Sequence, residues 1–146
     1  MELSFYQVKS ENLVSSAVKL LEKIYNSGKR CIFYSPLEER VQLVDKSLWT
    51  FAKMAFIPHG DKSSGFAEQQ PIYFTSVVDN PNKAKVLMSV DSFEYQNWGN
   101  DFEKIIFIFA DQVQESKAHE LFEDLKKQGE NVNYWKQNPR GWEKID

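Results

Sequence analysis

Residues 104–110 read Lys-Ile-Ile-Phe-Ile-Phe-Ala, and every position after the lysine is apolar. An unbroken apolar run of this length, without alternation, is typical of a central strand that is covered on both faces of a parallel sheet. Residues 112–128 follow, with apolar side chains at helical spacing, and Gly129 stands where a helix ends in a left-handed cap. A buried strand followed by an amphipathic helix is the repeating unit of an α/β fold.

The same unit recurs outward from this stretch. Short strands are predicted at residues 3–8, 31–34, 71–77, 85–90 and 131–136, and helices at 11–27, from Ser35-Pro36 to about Phe51, and at 93–98. Gly28 is predicted to cap the first helix, and residues 55–70 are predicted to form a loop. The pattern predicts one domain over residues 1–146: a three-layer, mostly parallel sheet with helices on both faces, Rossmann-like but without a nucleotide site.

Composition narrows the class of protein. The chain has 146 residues, a formal net charge of −3, 42% hydrophobic and 27% charged residues, which is typical of a soluble globular protein. The apolar runs are too short to span a membrane, and the N-terminus lacks the features of a signal peptide, so we expect a cytoplasmic protein with no membrane contact. The acidic net charge argues against direct, sequence-specific nucleic-acid binding.

Motifs for catalysis, metals and cofactors are weak. Gly60 and Gly65 have the spacing of a phosphate loop, but Phe66 stands where that loop needs lysine. His59 and His119 belong to no metal-ligand pattern, and the single Cys31 excludes an internal disulfide and a cysteine-rich zinc site. We therefore predict no catalytic residue, no metal and no cofactor. A small α/β nucleotide-binding protein or enzyme stays open as the alternative, on fold analogy alone.

Aromatic residues make up 14% of the chain, which suggests either an aromatic-rich core or an aromatic interface. Helical phase places Leu48 inward and Trp49 at the margin of the core, and Phe56 follows seven residues later. These two rings could form an apolar pocket for an acidic peptide, with Lys46 and Lys53 nearby. The alternative is that both rings close the end of the core.

The order and spacing of these features resemble those of the chi subunit family of bacterial DNA polymerase III. The matching features are Phe5-Tyr6 on the first strand, Gly28-Lys29-Arg30 before the second, Asp45 to Trp49, Phe56-Ile57-Pro58-His59, Pro71-Ile72, and Trp142 near the C-terminus. The resemblance implies a non-catalytic accessory subunit of the clamp-loader complex, with no bound nucleotide. It also implies two partners: the psi subunit, and the acidic C-terminal tail of single-stranded DNA-binding protein, which ends in a hydrophobic residue.

The resemblance also assigns residues to these contacts. For the tail it implies Trp49 and Phe56, together with basic and aromatic side chains on the last long helix, here Lys117, His119 and Phe122. We expect Trp49 and Phe56 to line one pocket, with Phe122 and at least one of Lys53, Lys117 or His119 at its rim. For psi we expect the C-terminal aromatic residues Tyr134, Trp135 and Trp142, unless Tyr134 and Trp135 simply alternate across an edge strand. An adaptor of another complex, similar in fold only, is a further alternative.

Overall fold

The computed structural model describes residues 1–51, 58–110, 112 and 114–146 of the chain. Strands and helices alternate along it. The strands are β1 (Glu2–Val8), β2 (Cys31–Tyr34), β3 (His59–Gly60), β4 (Ile72–Thr75), β5 (Val86–Val90), β6 (Lys104–Ala110), β7 (Asn131–Asn138) and β8 (Gly141–Ile145); the helices are α1 (Leu13–Asn26), α2 (Glu38–Phe51) and α3 (Glu115–Lys127).

The eight strands form one sheet in the order β3-β4-β2-β5-β6-β1-β7-β8. Every neighbouring pair is parallel except the β7–β8 hairpin. Alternate side chains of the central strands enter two separate cores, so that Val8 of β1 belongs to one core and Phe5 to the other. Helices α1 and α2 cover the first core, and α3 covers the second. The predicted three-layer, mostly parallel α/β fold is confirmed.

Local signals in the sequence account for the positions of the first two helices. Gly28 has a φ of 82° and ends α1, as predicted. The Ser35 hydroxyl accepts a hydrogen bond from the backbone N–H of Leu37 at 3.2 Å, which is the predicted cap at the entry to α2. Leu48 is fully buried and Trp49 is 49% exposed, as the helical phase indicated.

Two predicted elements need correction, and one strand was not predicted. Residues 93–98 do not form a helix: only a 3-10 turn is found, at Gln96–Trp98, because Phe93 and Trp98 are buried against the sheet from an irregular segment. β3 lies within the stretch predicted as a loop, and its two residues are too few to show a pattern. β8 was missed because four of its five residues are exposed, so that it shows no alternation of apolar and polar positions. Within the described ranges, no helix has the length and apolarity needed to cross a membrane.

Candidate partner-binding surfaces

Trp49 lies at the C-terminal end of α2, next to the short edge strand β3. Its ring centroid is 4.2 Å from that of His59, with the planes tilted by 45°. About half of the Trp49 surface is exposed, so the indole lies against the imidazole on one side and faces solvent on the other. An exposed indole on a rigid support is a common anchor point in protein interfaces.

His59 and Asp45 form a polar pair on the side of the indole that faces the protein. The side chain of His59 is inaccessible to solvent, and its Nε2 lies 2.8 Å from Oδ1 of Asp45, one helical turn before Trp49. At this distance a protonated imidazole would form an ion pair with the carboxylate. The other side of the ring meets Phe74 of β4 at 5.5 Å. This role of Asp45 and His59 was not predicted from the sequence; the one-turn spacing of Asp45 and Trp49 was the available signal.

One lysine near Trp49 lies within the described residues. Lys46 is exposed and precedes Trp49 by three positions, which places the two side chains side by side on the helix surface. Phe56 and Lys53, the other two residues predicted for this surface, lie outside the described residues. We define the Trp49 surface by Trp49, Lys46 and His59.

The α3 residues that were predicted to contact the tail do not lie near Trp49. Phe122 is 2% exposed and packs between Phe5 and Tyr134, with ring centroids 5.8 and 5.3 Å away. His119 stacks on Tyr134 with centroids 4.7 Å apart, and its Nε2 lies 3.7 Å from a carboxylate oxygen of Glu115. Lys117 is exposed. Phe122 is therefore a core residue, and His119 and Lys117 lie above it on the α3 side of the sheet.

The structure does not bring Phe122 and Trp49 into one pocket. Phe122 belongs to the core beneath α3, whereas His59 and Phe74 place Trp49 on the opposite face of the sheet, against the core beneath α1 and α2. Trp49 also lies beside β3, at one end of the strand order, whereas α3 packs on β1 and β7. The expectation that Phe122 lies at the rim of the Trp49 pocket is therefore wrong, because the sheet separates the two rings.

The C-terminal aromatic residues divide between the two faces of the sheet. Tyr134 is fully buried on the α3 side, where its hydroxyl contacts Gln7 and His119. Trp135 is half-buried on the other side, opposite Lys144 of β8, whose Nζ lies 5.9 Å from the indole centroid. Trp142 is 39% exposed and meets Tyr6 at 5.2 Å, nearly perpendicular. We call Tyr6, Trp135 and Trp142 the aromatic shelf; Tyr134 is not part of it.

A cavity of about 490 Å³ opens at the carboxyl ends of β2 and β5, where doubly wound sheets bind ligands. Its lining includes four carboxylates, those of Asp91, Glu94, Glu120 and Asp124, and the ammonium group of Lys117. Asp91 is held by Arg40, with Nε 3.0 Å from Oδ2. The described lining carries an excess of negative charge, which disfavours binding of a phosphate group in this cavity. The cavity therefore does not favour the nucleotide-binding alternative.

Cys31 is fully buried on β2. Burial raises the pKa of its thiol far above the ordinary value, because the thiolate would lose its solvation. A raised pKa keeps the group as the unreactive thiol throughout the neutral range. We expect a thiol reagent such as DTNB to leave the native protein unlabelled at pH 8 and to label one cysteine per chain after denaturation. Rapid labelling of the native protein would contradict this assignment.

The described residues contain no group of three side chains able to hold a metal ion.

Comparison with known proteins agrees with the fold and the order of these features. The sequence model of the family described as "DNA polymerase III chi subunit, HolC" matches residues 1–133. A curated relative, "Probable DNA polymerase III subunit chi" of Rickettsia prowazekii (strain Madrid E), is 30% identical over 154 residues. That alignment covers 99% of this chain and 92% of the relative. The chain therefore belongs to the DNA polymerase III chi subunit family, a family of DNA replication proteins.

Proposed function

We propose that this chain is a non-catalytic accessory subunit that links two partners, the psi subunit and the acidic C-terminal tail of single-stranded DNA-binding protein. One observation carries the proposal: the Trp49 surface and the aromatic shelf lie at opposite edges of one sheet. Five to seven strand spacings of about 4.8 Å lie between β3 and the strands of the shelf, which separates the two surfaces by roughly 24–34 Å. Two partners can therefore bind at the same time without touching each other.

The Trp49 surface suits the tail. A chain end that combines an apolar side chain, a free carboxylate and further acidic residues needs an aromatic contact and a nearby cation. Trp49 supplies the aromatic contact, and Lys46, exposed three positions earlier on α2, supplies a cation on the adjoining part of the helix surface. Phe56 and Lys53 belong to the same proposal through the family resemblance. Lys117, His119 and Phe122 are not included, because the sheet lies between them and Trp49.

The aromatic shelf suits a permanent protein partner. Trp135 and Trp142 are large rings that stay partly exposed on the α1 side of the sheet. Such rings contribute much of the binding energy at interface centres. The proposal therefore assigns Trp135 and Trp142 to the psi contact and leaves the buried Tyr134 as a core residue.

The proposal that the chain is non-catalytic rests on the sequence and on the lining of the cavity. The glycine pair at 60 and 65 lacks the lysine of a phosphate loop, and the cavity at the carboxyl edge of the sheet is acidic in its described lining. A subunit that acts by holding two partners needs neither a nucleophile nor a metal.

Simultaneous binding is the direct test of this function. The wild-type chain, immobilised through psi, is expected to bind a labelled tail peptide as tightly as the free chain does. Trp49→Ala is expected to lose the peptide but keep psi, and Trp142→Ala is expected to weaken psi but keep the peptide. The measurement is a pair of surface-binding titrations for each variant.

Two outcomes would overturn the proposal. The first is competition, in which saturating psi displaces the peptide, because partners at opposite edges of the sheet cannot exclude one another directly. The second is loss of both partners in a folded Trp49→Ala variant. A thermal melt of each variant separates loss of binding from loss of folding.

A further inference from the structure

The cavity of about 490 Å³ at the carboxyl ends of β2 and β5 lies where the chain leaves two neighbouring strands towards opposite faces of the sheet. After β2 the chain continues into α2, which covers the first core, whereas after β5 it continues into the segment that contains Phe93, in the second core. Connections that diverge in this way open a crevice at the edge of a parallel sheet. A cavity of this size can hold a small organic ligand or a long side chain.

The lining of this cavity includes a buried hydroxyl group. Tyr34, at the end of β2, lines the cavity and is only 8% exposed, and within the described residues its hydroxyl forms no hydrogen bond. Its ring packs against Trp98, with centroids 5.3 Å apart and planes at 74°. Burial, and then the negative charge of Glu94, raise the pKa of this phenol, so it stays neutral. Because buried hydroxyl groups ordinarily have a partner, this one indicates a ligand with a hydrogen-bonding group.

Three carboxylates in the same lining carry negative charge that no neighbouring cation neutralises. They belong to Glu94 and to Glu120 and Asp124, which lie one turn apart on α3. None of the three forms an ion pair in the part of the chain that the structure describes. Lys117 compensates one of these charges at most. Like charges four positions apart on a helix repel each other, so a bound cation would stabilise the α3 pair.

The chemistry that complements this lining is a cation on an apolar stem. Tyr34, Phe93 and Leu121 supply apolar and aromatic surface beside the carboxylates. A guanidinium group is planar, donates paired hydrogen bonds to a carboxylate and stacks on aromatic rings. It can also donate a hydrogen bond to the phenol oxygen of Tyr34. An ammonium group is a more strongly hydrated point charge, so a partly buried aromatic site favours the guanidinium.

We propose that this cavity binds an alkylguanidinium group, the chemistry of an arginine side chain, through the hydroxyl of Tyr34 and the carboxylates of Glu120 and Asp124. Glu94 adds negative charge beside the hydroxyl. The cation comes either from an arginine of a bound peptide or from a free small molecule, since both present the same group on the same stem. The site lies on the α3 side of the sheet, opposite the Trp49 surface, and is independent of the proposed function.

NMR titration of the isotopically labelled, full-length chain tests the site with two probes. N-acetyl-arginine amide represents the peptide source, and agmatine represents the free small molecule. We expect at least one probe to shift the backbone amide signals of residues 93–94 and 117–124. N-acetyl-citrulline amide has nearly the same shape as the arginine probe but no charge, and it is expected to bind about tenfold more weakly because it lacks charge-assisted hydrogen bonds. Binding of the arginine probe assigns the site to a peptide, and binding of agmatine alone assigns it to a free cation.

A matched pair of double variants tests the carboxylates. Glu120→Gln/Asp124→Asn keeps the shape of both side chains and is expected to weaken binding of the probe about tenfold at low salt, and less at high salt, because screening weakens charge attraction. The control Glu123→Gln/Glu130→Gln makes the same change in net charge at exposed positions outside the described lining. We expect the control to bind within twofold of wild type. A thermal melt of each variant verifies that it is folded.

Tyr34→Phe tests the hydroxyl that points to a ligand. The variant keeps the aromatic ring and its contact with Trp98, so we expect a folded protein that binds the probe several-fold more weakly. Unchanged affinity of Tyr34→Phe, equal binding by the two double variants, or equal binding of the citrulline and arginine probes would each overturn the proposal. So would a titration in which neither cationic probe shifts the amide signals of the lining.

Discussion

Replacing Trp49 with alanine is expected to weaken binding of the acidic tail peptide about thirtyfold, or by about 2 kcal/mol, which is typical for truncation of an aromatic anchor. The indole is half-exposed and rests on His59, so its removal takes away contact area without opening the core. Fluorescence anisotropy of a labelled peptide, titrated with wild type and variant at the same salt concentration, measures the difference.

Leu43→Ala is the matched control. Leu43 lies on the same helix and is equally exposed at 49%, but it lies about 120° from Trp49 around the axis of α2 and lines the groove between α1 and α2. We expect this variant to bind the peptide within twofold of wild type. If Trp49→Ala keeps full affinity while its circular dichroism stays native, the tail does not bind at the Trp49 surface.

The sheet itself was predictable because its strands are buried on both faces. In Lys104–Ala110 the apolar run coincides with the observed strand, since a strand covered by helices on both sides needs no polar positions. The end of α1 was predictable because Gly28 favours the left-handed backbone conformation found there. The start of α2 was predictable because Ser35 favours the helix-capping position that it occupies. The two-residue strand β3 and the largely exposed strand β8 left no comparable pattern in the sequence.

The candidate site was less predictable because it depends on strand order. Trp49 was correctly placed at the helix margin from its helical phase. The position of Trp49 relative to Phe122 depends on which face of the sheet each helix covers and on how many strands lie between them. The spacing of apolar residues along the sequence gives neither of these. His59 could not be identified as the support of Trp49 either, since the contact joins a helix to an edge strand ten residues later along the chain.

Truncation of Phe122 is the second large effect that we expect. Phe122→Ala should lower the free energy of unfolding by about 3–5 kcal/mol, the usual range for removing a buried aromatic ring. The ring is 2% exposed and fills the space between Phe5 and Tyr134, which have too little freedom to close the cavity. Urea unfolding followed by tryptophan fluorescence measures the loss. A change below 1 kcal/mol would show that the side chain is not in the core.

Phe122→Leu distinguishes a core residue from a ligand contact. Leucine fills much of the same volume, so the variant should fold and lose only a fraction of the stability that alanine removes. Because the sheet lies between Phe122 and Trp49, its affinity for the tail peptide should stay within twofold of wild type. If a folded Phe122→Leu variant lost the peptide, the tail would bind on the α3 side, beside His119 and Lys117. Trp49 would then not be the anchor, since it lies on the opposite face of the eight-stranded sheet.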